Sequence, residues 1–348
     1  MTGLTLTTAL LAIFPMFTSM LTVGSSSAQS RAQVAGPAPN RAALLKEAAE
    51  AQEAGRTDEA MRLLRLAAER LQSAHAYLEL ARLQSRTKQS AAALDSLQKA
   101  RALAPNSEEV LSAYAQLTLA AKQPMPAVLV LQSLARMCPS VSQYHYLLGV
   151  GLMAIGDMPS AIEALTEADR LEPERALTLL ALGLALNNRK HFADARTALV
   201  HSLELQPDSM EAVAALAEAE AGLGNFDAAA SHAERALQRA PTSATANLVI
   251  GLVLIERRHY AEAQEALLKA TSADPDSPKA VYQLSLVAAR LGDDPAARRY
   301  IGLYQEKLRA VEERIKMLRA GGSLETGPVS APKPAKAVKP TGPQKGRH

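Results

Sequence analysis

Residues 176–209 read ALTLLALGLALNNRKHFADARTALVHSLELQPDS, and residues 210–243 read MEAVAALAEAEAGLGNFDAAASHAERALQRAPTS. Each stretch has a small residue at its eighth position (Gly183, Ala217), Phe at the seventeenth (Phe192, Phe226), Ala at the twentieth (Ala195, Ala229) and Pro at the thirty-second (Pro207, Pro241). Working outward, Pro105, Pro139, Pro173, Pro207, Pro241 and Pro275 are each 34 residues apart. Ala93, Ala127, Ala161, Ala195, Ala229, Ala263 and Ala297 keep the same spacing, as do Leu80, Tyr114, Leu148, Leu182, Leu216, Ile250 and Leu284. A fixed period of this length overrides any local reading, because each unit must bury its apolar face against the next. Units start at residues 41, 74, 108, 142, 176, 210, 244 and 278, the first being one residue shorter.

Within a unit, apolar or small residues fall at positions 4, 7, 8 and 11, then at 20, 24 and 27. Spacings of three and four set one stripe on each of two helices, here called A and B. Gly55, Gly156, Gly224 and Gly292 stand at position 15, where a left-handed residue closes the first helix. Small residues at position 8 are expected to face Ala at position 20 and let the helices approach closely. Leu97, Leu131, Leu165, Leu199, Leu267 and Ile301 at position 24 fill the space beside them. Pro at 32 disfavours helix in the residue before it and ends helix B. Phe192, Phe226 and Tyr260 at position 17 are expected to plug the gap at the turn.

A 34-residue helix–turn–helix with Leu at 7, Gly or Ala at 8, Gly at 15, Ala at 20 and 27 and Pro at 32 resembles the tetratricopeptide repeat. The resemblance implies an all-α solenoid, a right-handed superhelix of about eight units over residues 41–309. It also implies that the A helices line a concave face which holds a segment of another protein. Unit one has Leu71-Gln72 where Pro belongs, unit three carries Gln123-Pro124-Met125-Pro126 at its turn, and unit eight has Arg309 in place of Pro. The second helix of unit eight therefore runs on through 310–320, where Val311, Ile315 and Leu318 keep helical spacing. That extension is expected to cap the last unit's apolar edge.

Composition agrees. The 348 residues are 48% hydrophobic but only 3% aromatic, which suits Ala- and Leu-rich helices better than a β-sandwich. Thirty-eight Lys and Arg against 35 Asp and Glu leave a net charge of +3, too little for a broad basic face, so no specific nucleic-acid partner is expected. One Cys, Cys138, excludes an internal disulfide framework and a Cys-clustered metal site. No two His share the i, i+4 spacing of a helical metal pair, and no phosphate loop, nucleophile elbow or Cys–His signature occurs. No catalytic residue, cofactor, metal or small-molecule substrate is expected.

The binding surface is expected on a second A-helix stripe at positions 2, 5, 9 and 12. Its candidate residues are Tyr146, Val150, Leu180, Leu184, Asn187, Leu248, Leu252, Tyr282 and Leu286. An apolar trough of this kind accepts a hydrophobic or helical segment. The alternative is that neighbouring A helices simply touch there. The carboxylate clamp of some members of the family needs Lys at position 5, which no unit supplies, so a cytosolic chaperone-adaptor role is disfavoured.

The two ends differ from the repeats. Leu4–Val23 carries no charge and Ser26-Ser27-Ala28 follows it, as in a secretory signal cleaved after Ala28, although Met1-Thr2-Gly3-Leu4 lacks the basic residue such a signal has; an uncleaved anchor and a misplaced start codon are the alternatives. The expected organisation is a signal segment 1–28, a linker 29–40, repeats 41–309, an extension 310–320 and a tail 321–348, in a periplasmic or secreted protein. The tail holds five Pro and five Gly, and its four Lys and one Arg against one Glu give it a net +4. It is expected to be extended, with weak attraction to an anionic envelope polymer or membrane surface as a separate possibility. The leading expectation is an exported, non-enzymatic scaffold serving envelope assembly, secretion or pilus machinery, with a cryptic enzyme as the remaining alternative.

Overall fold

The computed structural model describes residues 41–320, so the expected signal segment, linker and tail lie outside the described residues. Sixteen helices and no strand occur among them. They pair as eight antiparallel hairpins: α1 (Arg41–Glu53) with α2 (Thr57–Leu71), α3 (Ala74–Arg86) with α4 (Ser90–Leu103), α5 (Glu108–Ala120) with α6 (Pro124–Met137), and α7 (Ser142–Ile155) with α8 (Met158–Leu171). The series continues with α9 (Ala176–Asn188) and α10 (Phe192–Leu205), α11 (Met210–Gly222) and α12 (Phe226–Arg239), α13 (Ala244–Glu256) and α14 (Tyr260–Ala273), and α15 (Pro278–Arg290) and α16 (Asp294–Arg319). The 34-residue period is therefore one hairpin per repeat, and the core is a row of adjoining clusters instead of a single centre.

Local chemistry sets each boundary. Ser73, Ser107, Ser209 and Ser243 accept hydrogen bonds from the backbone N–H three residues on, capping the A helices that follow. The residue before each repeating Pro leaves the helical region, as at Gln206 (φ −139, ψ 81) and Ala240 (φ −131, ψ 75). Position 15 is left-handed in every hairpin. Gly does this in four of them, while Lys88, Lys122, Lys190 and Arg258 do it with φ between 57 and 63.

Close packing within a hairpin is centred on position 8. A Cβ on Gly183 would lie 2.5 Å from Leu199 Cγ, and one on Gly149 2.5 Å from Leu165 Cγ. The partner of position 8 is thus the Leu at 24, and the Ala at 20 that the spacing suggested is not the point of closest approach. Ala93, Ala127, Ala161, Ala195, Ala229 and Ala263 are fully buried nonetheless. Phe192 fills its turn against the next hairpin, where a Cβ on Gly222 would fall 2.4 Å from its ring.

The end of the chain departs from the expected cap. With Arg309 in place of Pro, α16 continues for 26 residues, but its extension leaves the last hairpin's edge half-exposed at Ala297 and Ile301. It reaches α6 and α7 instead. Leu318 joins the cluster of Val128, Leu152 and Ile155, with Ile315 packed beside it. The spacing of the apolar stripe was legible; the surface that receives it was not.

Candidate functional site

Successive A helices lie close to one another from α7 to α15, closer than successive B helices do, so the solenoid curves with its A helices inside. The inner surface changes character along the chain. In hairpins two and three it is polar: Arg82 of α3 holds Glu79 at 2.5 Å and reaches Glu109 of α5 at 2.8 Å. Tyr144 of α7 donates to Glu108 of α5 at 2.7 Å. Burial first, and that hydrogen bond second, push the Tyr144 hydroxyl up to about 12.

Farther on, the A helices bury much of the expected groove in each other. Tyr146, Leu180 and Leu248 at position 5 are 3%, 3% and 6% exposed, and Asn187 is 1% exposed. Tyr146 lies under the Arg175 guanidinium, 4.8 Å from its ring centroid, a cation–π contact that closes it from the N-terminal end of α9. Burial raises its hydroxyl above the ordinary tyrosine range, with the Arg175 charge pulling the other way. Asn187 spends its Nδ2 on the backbone oxygen of Ala215, 2.7 Å away in α11, and its Oδ1 finds no partner among the described residues. These four side chains are therefore contacts between hairpins, and the accessible surface is narrower than the spacing implied.

The remaining five stay in reach. Val150, Leu184 and Leu252 at position 9 are half-buried, and Tyr282 and Leu286 of α15 are 38% and 44% exposed. Tyr282 rests on Tyr304 of α16, with ring centroids 5.1 Å apart and the planes tilted by 45°. Beside them Lys279 of α15 extends past α13 to Glu218 of α11 at 2.5 Å. The spacing did not foretell this ion pair, since positions 2 and 9 of units two apart meet only once the curvature is known. Among the described residues no group of three His, Cys, Asp or Glu side chains could hold a metal, and no helix is long and apolar enough to cross a membrane.

Comparison with known proteins agrees with this geometry. Family models described as tetratricopeptide repeat match residues 75–107, 180–244 and 220–289. The fold is similar to that of a tetratricopeptide repeat protein from Parabacteroides merdae, with 14% identity over 71% of this chain and 98% of that one, and a TM-score of 0.53. It is also similar to a chain of the APC/C hetero-tetramer Cut9–Hcn1, with 19% identity over 69% of this chain and 48% of that one, and a TM-score of 0.50. At these identities the likeness is one of fold. No curated protein matches the sequence. Period, hairpin geometry and family match coincide: the chain carries tetratricopeptide repeats, and its described residues form an all-α tetratricopeptide-repeat solenoid.

Proposed function

We propose that this protein is a non-enzymatic scaffold that receives an apolar or helical segment of a partner protein on the inner face of its C-terminal hairpins. The reading is supported above all by Tyr282 and Leu286, large apolar side chains left exposed on α15, where no following A helix covers the stripe that is buried in earlier hairpins. Such a trough takes one face of an amphipathic helix and excludes water from it. The half-buried Leu252 on α13 extends the same stripe by one hairpin. Replacing Tyr282 by Ala and Leu286 by Glu together should lower crosslinked capture of the partner in native extract at least tenfold with the circular dichroism unchanged. Undiminished capture by the folded double variant refutes the reading.

Export is the second element of the proposal and is supported by the sequence of the leading segment. Its test is the amino-terminal sequence of the mature protein recovered from fractionated cells: Gln29 is expected first, and an intact Met1 in a soluble cytoplasmic fraction overturns export. Contact of the basic tail with an anionic surface is separable from groove binding by its steep loss with added salt.

A further inference from the structure

Hairpins four, six and eight share an aliphatic residue at position 14, yet Leu223 and Leu291 are 38% and 44% exposed while Ile155 is fully buried. The difference continues through the turn. A Cβ on Gly55, Gly224 or Gly292 would meet nothing within 4 Å, but one on Gly156 would lie 2.6 Å from Val311 Cγ1. At position 16, Asp157 is 3% exposed, whereas Gln123, His191, Asn225, His259 and Asp293 are all exposed. Three consecutive positions that face solvent elsewhere are thus covered at one turn only. The covering element is the end of α16, which touches α6 and α7 roughly 150 residues away in sequence.

The contact is a single stripe. Between residues 305 and 319 only Lys307, Val311, Ile315 and Leu318 are less than exposed, and of these only Leu318 is buried. Each helix from α2 to α15 packs within its own hairpin and against a neighbouring one. Beyond Lys307, whose Nζ donates to the Pro275 carbonyl, the end of α16 has this one seam. A seam carried by three aliphatic side chains can open without unpacking any hairpin, which places it at the low-stability end of the molecule.

We propose that the turn end of hairpins three and four is a helix-docking seat and that residues 310–319 are its resident occupant, a strap that detaches and redocks as a unit while the hairpins stay folded. The seat accepts a helix with aliphatic residues at i, i+4 and i+7, the pattern of Val311, Ile315 and Leu318. It lies at the turns and is independent of the groove proposed above.

Hydrogen exchange on the full chain tests this. With Ile315 and Leu318 both replaced by Glu, amides of residues 152–158 and 310–319 should exchange at least tenfold faster, with α9 to α13 unchanged. A peptide of residues 306–320 added in trans should restore slow exchange at 152–158, and the same peptide bearing the two Glu should not. Val311→Ser, which removes only the contact on Gly156, should speed the same amides about threefold in a chain that keeps its fold. Unchanged exchange at 152–158 in both variants overturns the seat. Equal acceleration throughout α9 to α13 overturns its independence of the hairpins, and wild-type protection that falls on dilution assigns the occupant to a second copy, overturning the strap in cis.

Discussion

Hairpins five and eight are the same repeat under different neighbours. Position 5 is Leu180 in one, 3% exposed, and Tyr282 in the other, 38% exposed. Position 24 is a fully buried Leu199 or a half-exposed Ile301, and position 32 is Pro207 or Arg309. Since the internal pattern is shared, the difference comes from what flanks each hairpin: α9 has A helices on both sides, and α15 has one on its N-terminal side alone. A residue's role in a stacked array is set by its place in the stack as much as by its place in the repeat.

The largest effect should come from equal truncations at position 5. Leu180→Ala is expected to cost about 2–5 kcal/mol because it opens a cavity between α9 and its neighbours, whereas Tyr282→Ala should cost less than about 1 kcal/mol at its exposed site. Urea unfolding of both variants measures the contrast, and similar costs would break it. Arg309→Pro makes hairpin eight end as hairpin five does. Pro within a helix costs about 3 kcal/mol, so α16 should stop near Leu308, with loss of helical ellipticity and of amide protection at Leu152–Asp157. The smallest effect belongs to the turns, where hairpin five holds Lys190 at φ 63 and hairpin eight holds Gly292 at φ 80. Lys190→Gly should raise stability by about 1 kcal/mol and Gly292→Lys should lower it by about the same, read as opposite shifts in the urea midpoint at constant slope.

The hairpins themselves were legible because their determinants are local and repeated: Pro at 32, Ala at 20 and Leu at 24 each mark a boundary or a contact within 34 residues. The serine caps were equally local, in the Pro-Asn-Ser and Pro-Asp-Ser stretches ending at Ser107 and Ser209, and could have been read from the same spacing. Four left-handed turns escaped notice because Lys or Arg fills a place where Gly would have advertised the conformation. The groove was half legible. Position 9 stays accessible or half-buried in the expected residues, but how deeply Tyr146, Leu180 and Leu248 sink at position 5 depends on the angle between successive hairpins, which no single repeat encodes. The seat for Val311 and Leu318 was illegible for the plainer reason that its two sides belong to different repeats with no pattern in common.

Lys279 spans from hairpin eight to Glu218 of hairpin six, with hairpin seven between them. An array bonded only to nearest neighbours frays one unit at a time from its free end. A tie that skips a unit couples the last three hairpins, so a chain pulled by its C-terminal repeats should first release the end of α16 from α6 and α7 and then yield these hairpins in one larger rupture. Lys279→Ala should convert that event into a staircase of smaller ones.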